Sequence, residues 1–306
     1  MKKAVYHGIR DVRVEDVEEP KPGQREAKVR IKYCGICGSD LHEYLHGPFP
    51  ASPFGHEVCG EIVEIGPGIE GYQVGDHVVA FNRDGYAEYM TAPEERLLKL
   101  PPDISWEKAA MLEPLAGSAY AIDRGGIKPS DTILITGAGP VGLLLLLAVQ
   151  AVGAKIIYIT EISETRRKKA DALGATTVLN PAEVKIPTAI RELTAGEGVD
   201  VAIEAVGTEA SLKDCLASTR YQGKIVVQGI FTEKVPINML AFVTKEMTMT
   251  SGNFINPTQA LEWIKTKKIE PETIITSIIP LDQISERGFE VLTTDKDRDI
   301  KILVEP

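Results

Sequence analysis

From Asp131 onward the chain alternates short apolar runs with helical stretches, and this alternation limits the possible folds more than any other feature. Ile133–Thr136, Lys155–Thr160, Val199–Glu204 and Lys224–Gln228 read as strands, and Val141–Gly153, Glu164–Leu173 and Ser211–Ser218 as helices. Strands separated by helices specify an α/β fold: a doubly wound parallel (Rossmann) sheet with helices on both faces. The strands are short and apolar, as expected of a sheet buried on both sides. Residues 132–154 carry no charge over 23 positions, long enough to cross a bilayer. Gly137 to Gly142 and Gln150 interrupt that run, so a buried strand, a glycine turn and a buried helix account for it better.

Gly137-Ala138-Gly139-Pro140-Val141-Gly142 matches G-x-G-x-x-G. The match follows a strand and opens an apolar helix, the context that gives it meaning. The first glycine permits a tight turn, the second lets the backbone approach a pyrophosphate, and the third allows close helix–strand packing. The helix N-terminus at Pro140 and Val141 presents a positive dipole end to phosphate. Glu161 stands 19 residues after Gly142, at the end of the next strand. There a carboxylate accepts from a ribose 2′-OH and repels a 2′-phosphate, which favours NAD over NADP. Arg166 and Arg167, one helical turn on, blunt that preference. Ligands of such sheets bind at the carboxyl ends of strands, which makes Val206, Gly207, Gly229 and Ile230 candidates for the nicotinamide half. Each also fits an ordinary strand-end turn.

Residues 1–100 read as mostly β, with apolar runs at Lys28–Lys32, Gly60–Ile65 and His77–Ala80. Residues 105–124 read as helix, broken near Pro114. Pro257–Thr266 reads as a helix and Ile300–Val304 as a strand that needs a partner. The expectation is that this strand joins the N-terminal β domain, so that the cofactor domain is an insertion: 1–120, 121–256 and 257–306. A formal charge of −10 on 306 residues argues against nucleic acid or anionic membrane as a main partner. The start of the chain lacks an apolar signal core, and the expected compartment is the cytoplasm. Four cysteines make no disulfide framework.

Cys37 in CGICGSDLH, His56 in GHEVCG and Glu113 in MLEPLA offer S, N and O donors of the kind Zn²⁺ accepts. Three protein ligands with one open position are the arrangement of a catalytic zinc. Taken singly, Cys37 reads as a buried hydrophobe rather than a ligand, and His56 as a hydrogen-bonded surface histidine. Only the combination points to metal. Cys34 makes a C-x-x-C pair with Cys37, but no second pair completes a four-cysteine site; Cys34, Cys59 and Cys215 read as buried thiols.

With these motifs in order, the chain resembles the zinc-dependent medium-chain alcohol dehydrogenases, in the branch of the sorbitol, butanediol and threonine dehydrogenases. Gly55-His56-Glu57-x-x-Gly60-x5-Gly66-x2-Ile69 fits that family's zinc pattern, and Cys-x-Ser-Asp, Glu-Pro-Leu, the glycine fingerprint and Glu-Ala-Val-Gly fall in the family's order. The resemblance implies a GroES-like β domain plus the Rossmann domain, with the active site in the cleft between them. It makes Cys37 and His56 zinc ligands. Glu113 would bind zinc directly or through water, and Glu57 would lie close enough to replace that water. Asp40 would orient the histidine, Ser39 would take the substrate proton, and His42 would pass it to solvent. The alternatives weighed against these roles are a cap or turn hydroxyl for Ser39 and an exposed helix residue for His42. Tyr44, Phe49 and Phe81 are pocket candidates that read equally as core aromatics.

The family's four-cysteine structural-zinc lobe has no counterpart here, because Phe81 to Tyr86 turns straight into the next strand. One catalytic zinc per subunit is therefore expected. The implied reaction is hydride transfer between a secondary alcohol, diol or polyol and NAD. The partners expected are a small alcohol or ketone and further copies of the chain, as a dimer or tetramer. Strands near Val235–Leu240 and Glu246–Ser251 would pair across a two-fold axis. Two other readings compete. A zinc-free quinone or enone reductase of the same fold also lacks the lobe, but it lacks the Cys, Gly-His-Glu and Glu-Pro-Leu set kept here. A non-catalytic cofactor-binding protein would keep the fold without turnover.

Overall fold

The computed structural model describes residues 1–48 and 54–306, and Phe49 lies outside the described residues. The chain divides into two compact units, Met1–Glu113 with Glu270–Pro306, and Pro114–Ile269.

The second unit carries the alternation. Its six strands run in the order Thr177–Leu179, Ile156–Thr160, Thr132–Thr136, Val199–Glu204, Thr219–Val227, Thr248–Ser251. Every neighbouring pair is parallel. Numbered within the unit this is 3-2-1-4-5-6, the order that leaves a ligand crevice beside the first strand where the winding reverses. The uncharged run becomes strand Thr132–Thr136 and helix Pro140–Ala151. Leu143, Leu144, Leu145 and Leu146 are all fully buried, each stabilising the fold by about 1.5–3 kcal/mol. Among the described residues no helix is long and apolar enough to cross a membrane.

Two short elements escaped the sequence reading: strand Thr177–Leu179, half-buried along its length, and helix Ile186–Leu193, which begins with a proline in its first turn. The segment Val235–Leu240 is not a strand. Pro236 lacks the N–H a ladder needs, and the Asn238 side chain instead caps helix Met239–Thr244 by accepting from Ala241 N–H. Helix Pro257–Lys265 belongs to this unit: Asn256 N–H donates to Ala116 carbonyl, and Asn256 Nδ2 donates to Asp123.

In the first unit, strand Glu26–Gly35 is the spine of a seven-stranded sheet. It pairs antiparallel with Glu57–Ile65, Tyr89–Pro93 and Lys301–Glu305. Lys301–Glu305 also pairs parallel with Ile275–Pro280. The register sets Leu303 opposite Gly35 and Val304 opposite Cys34. The rings of Tyr44, Phe289 and Phe54 stack in sequence and Tyr86 meets Phe54 edge-on, with centroids 4.9–5.6 Å apart. Tyr44 is therefore a core aromatic. The predicted break in residues 105–124 falls at Met111 rather than Pro114. Helix Trp106–Ala110 ends there, and Pro114 sits in the first turn of helix Leu112–Gly125, where its missing N–H is no loss.

Candidate active site

Helix Gly38–His46 starts immediately after Cys37, which is its N-cap. Asp40, in the first turn, accepts from Cys37 N–H at 2.9 Å, from Gly55 N–H at 3.1 Å and from Tyr86 O–H at 2.6 Å. One carboxylate therefore ties the helix start to the loop that carries His56. Asp40 is fully buried, and its Oδ1 lies 3.8 Å from His56 Nδ1. The other ring nitrogen, Nε2, lies 3.9 Å from Glu113 Oε2. Ligand atoms of Cys37, His56 and Glu57 fall within 4.8 Å of one another, a grouping that fits a metal ion.

The donors are a thiol, an imidazole and carboxylates, the set Zn²⁺ prefers, and their mutual electrostatics call for a cation. Burial alone would pull His56 down; the charge and hydrogen bond of Cys37, with Glu113 and Asp40, lift it well above the usual range. Burial pushes the Glu113 carboxyl up to about 7, against the pull of His56. Burial likewise lifts Asp40, against the lowering influence of His56 and Tyr86. Each acid in this pocket gains from a positive charge among them.

Ser39 and His42 sit three residues apart on the same helix and so share a face. Ser39 is buried, and its Oγ has no hydrogen-bond partner among the described residues. Burial and the neighbouring His46 lower the pKa of His42, which favours the neutral, proton-accepting imidazole near pH 7. Cys34, Cys59 and Cys215 are buried free thiols; burial pushes Cys59 up to about 12. His7 is bonded to Glu15, and His77 lies against Trp106 with ring centroids 4.2 Å apart.

Sequence reasoning missed two residues here. Tyr86, from the turn after His77–Ala80, is buried with its O–H on Asp40. Lys301 is fully buried, bonded to the Glu57 carboxylate, and donates to Ile36 carbonyl at 2.9 Å. A lysine inside the apolar run Ile300–Val304 was the available signal, because a buried ammonium requires a buried acid.

In the second unit the glycine turn has the geometry its motif demands. Gly137 has φ +87° and donates to Thr160 carbonyl at 2.8 Å. Gly139 caps the helix and Pro140 occupies its first position. At Gly142 a methyl group would fall 1.9 Å from Gly137 carbonyl oxygen, so helix and turn touch backbone to backbone. Glu161 accepts from Ala138 N–H and from Ser163 N–H, both at 2.9 Å, so the predicted ribose acceptor already orders the glycine turn. Each oxygen retains a lone pair.

The two arginines part company. Arg167 donates to the carbonyls of Glu161 and Ile162, while Arg166 Nη1 reaches 3.7 Å from where a Gly139 methyl would be. Glu204 gathers the remaining candidates. Its Oε1 accepts from Val206 N–H and Gly207 N–H, both at 2.9 Å, and its carbonyl accepts from Gly229 N–H at 3.0 Å. Val206 lies against Gly137, and Gly207 against the backbone of Ile230. Glycine turn, Val206–Gly207 and Gly229–Ile230 therefore form one continuous surface.

Residues 23–102 match the alcohol dehydrogenase GroES-like domain, and residues 140–266 match the zinc-binding dehydrogenase domain. An (R,R)-butanediol dehydrogenase of Bacillus subtilis (strain 168) is 36% identical over 349 aligned positions that span 100% of both chains. A sorbitol dehydrogenase of Halalkalibacterium halodurans is 33% identical, covering 98% of this chain and 97% of that one. The crystal structure of 2R,3R-butanediol dehydrogenase from Bacillus subtilis superposes with a TM-score of 0.92 at 35% identity, covering 100% of this chain and 99% of that chain. The chain belongs to the zinc-binding medium-chain dehydrogenase family.

Proposed function

We propose that this protein is an NAD-dependent zinc dehydrogenase that interconverts a secondary alcohol, diol or polyol with its ketone. The observation that carries the reading is the grouping of Cys37, His56 and Glu57, with Glu113 3.9 Å from His56, beside a buried serine hydroxyl with no hydrogen-bond partner among the described residues. Cys37 and His56 would hold the metal, together with the carboxylate of Glu57 or Glu113. When bound, zinc supplies Lewis acidity toward the substrate oxygen and NAD supplies the hydride acceptor.

The chain's own residues do the rest. Asp40 fixes the Cys37 and His56 loops relative to each other and keeps Nε2 of the imidazole turned to Glu113. Ser39 Oγ, without a hydrogen-bond partner among the described residues, accepts the proton of the substrate hydroxyl. His42, neutral and one helical turn away, receives that proton on its way to solvent. Gly137, Gly139, Val141 and Gly142 take the pyrophosphate, assisted by Arg166. Glu161 takes the adenosine ribose, which underlies the preference for NAD, and the Val206–Gly207 and Gly229–Ile230 turns take the nicotinamide end.

The protein is proposed to assemble as a homo-oligomer. Strand Thr248–Ser251 is a sheet edge, and Met239, Leu240 and Val243 nearby are more than half exposed. Four cysteines, none of them in a disulfide, fit a reducing compartment, the cytoplasm.

The test is elemental analysis followed by turnover with NAD⁺ and secondary alcohols, vicinal diols and polyols. One zinc per chain, with activity lost on chelation and restored by zinc, supports the reading. A protein that takes up no zinc when supplied with it, or that turns over unchanged after metal removal, refutes it.

A further inference from the structure

The acids of the candidate metal site each face a basic side chain. Glu57 is bonded to Lys301, and Asp40 and Glu113 lie 3.8 and 3.9 Å from His56. Glu204 in the second unit does not. It is fully buried at the carboxyl end of strand Val199–Glu204, and no lysine, arginine or histidine among the described residues forms an ion pair with it. Cys215 brings no positive charge either: burial, and then the charge of Glu204, raise its pKa and keep it a neutral thiol.

What holds Glu204 are neutral donors, and they crowd one oxygen. Oε1 accepts from Val206 N–H and Gly207 N–H, both at 2.9 Å, and from Ser211 O–H at 2.6 Å. Three donors on one oxygen match an acceptor-only carboxylate and favour its charged form. Oε2 is buried and has no hydrogen-bond partner among the described residues. It faces Gly229, where a methyl group would fall 2.4 Å from Oε2 and 2.3 Å from Gly207 N. Glycine at 229 therefore lets that turn close against the carboxylate. The Glu204 carbonyl completes the arrangement by accepting from Gln228 N–H at 2.8 Å and Gly229 N–H at 3.0 Å.

A buried carboxylate without a counter-charge is costly, and such groups are ordinarily paired. The turns that Glu204 holds are those assigned above to the nicotinamide end of NAD. That ring is a cation in NAD⁺ and neutral in NADH, because the transferred hydride carries two electrons and one proton.

We infer that Glu204 supplies a negative charge behind the nicotinamide turns and so makes the site favour NAD⁺ over NADH. The inference rests on the NAD reading above. The carboxylate gains a counter-charge from the oxidised ring and loses it when the ring becomes neutral, which loosens NADH. Glu204 acts through the turns it holds and is a positioning residue.

A residue that only ties the turns together affects both nucleotides alike, whereas a charge affects mainly the cation. The experiment compares the whole wild-type chain with Glu204→Gln, which keeps the shape and the Oε1 acceptor, and Glu204→Asp, which keeps the charge. NADH binding is followed by its fluorescence, and NAD⁺ binding by displacement of NADH. In Glu204→Gln the ratio of NAD⁺ to NADH affinity is expected to fall about 10-fold, the scale of one unit charge acting over about 10 Å at an effective dielectric constant of about 20. NADH affinity should change little. Glu204→Asp should retain the wild-type ratio, even where both nucleotides bind more weakly.

Equal weakening of both nucleotides in Glu204→Gln, or unchanged affinities, would overturn the inference while leaving the NAD reading intact. A ratio that falls as far in Glu204→Asp as in Glu204→Gln would overturn it too. A wild-type chain that binds neither nucleotide would overturn both. If Glu204→Gln does not fold, Ser211→Ala is read instead. It removes a donor that shares the charge, so the ratio should move further toward NAD⁺, and an unchanged or reversed ratio would overturn the inference.

Discussion

Cys37, Asp40, His56, Glu57, Glu113 and Lys301 are drawn from stretches spread over most of the chain, and side-chain charges hold them together. Gly137, Gly139, Gly142 and Glu161 come from one strand–turn–helix–strand run, where backbone contacts do most of the holding and Glu161 itself bonds to backbone N–H groups. The first region is specified by chemistry and the second by the space a glycine leaves. The first should therefore fail when a charge or donor is removed, and the second when an atom is added.

The largest effect is expected from Cys37→Ser or His56→Ala. Either should lower turnover well beyond the about 100-fold that loss of an outer partner costs, with zinc content falling in parallel. Retention of stoichiometric zinc and full turnover would put the metal elsewhere. Asp40→Asn sharpens the point, because it touches no metal. Zinc affinity is expected to fall about 10–100-fold in chelator competition, while the circular dichroism of the chain is retained.

In the second region Gly142→Ala adds a single methyl group 1.9 Å from a carbonyl oxygen. A loss of about 1–3 kcal/mol in denaturant unfolding is expected, together with weaker NAD binding and unchanged zinc content. Loss of zinc in this variant would erase the contrast between the two regions.

The smallest effect lies in the first unit, away from the metal. Burial raises the pKa of Asp76, but hydrogen bonds from Lys99 and Gln73 N–H, with the lysine's charge, overcome this and leave it lowered. A lowered folded pKa contributes stability above the unfolded value of 3.8, and that stability is lost as pH falls through the lower folded pKa. Asp76→Asn should cost about 1 kcal/mol near neutral pH and less in acid, converging with wild type as the carboxyl protonates. A pH-independent difference would mean that the charge is not what matters.

The same contrast explains what could be read in the sequence. The glycine turn was legible because its spacing is local and its neighbours, an apolar strand and an apolar helix, lie on either side. Cys37, His56 and Glu113 were legible as residue types, but nothing local places Glu113 beside His56. Tyr86 and Lys301 were not legible as partners, because a tyrosine in a turn and a lysine in a strand acquire meaning only once sheet register brings them to Asp40 and Glu57. Asp40 was read as orienting His56, and its stronger bonds go to Cys37, Gly55 and Tyr86. The segment Val235–Leu240 misled because its apolar residues outweighed Pro236 and the cap at Asn238.

The antiparallel pairing of Gly35 with Leu303 has a consequence for how the molecule is made. A ribosome delivers residues in order, so Cys37, His56, Glu57 and Glu113 emerge long before Lys301. The whole second unit, Pro114–Ile269, is synthesised in between and has its own sheet to close. The first unit must therefore wait, with its central strand missing one neighbour, until the second unit has been made and Lys301–Glu305 follows it. A nascent chain that captured zinc during that interval would present Glu57 without its lysine. The buried Glu57 carboxylate thus gains its counter-charge only after the other residues of the site have been made.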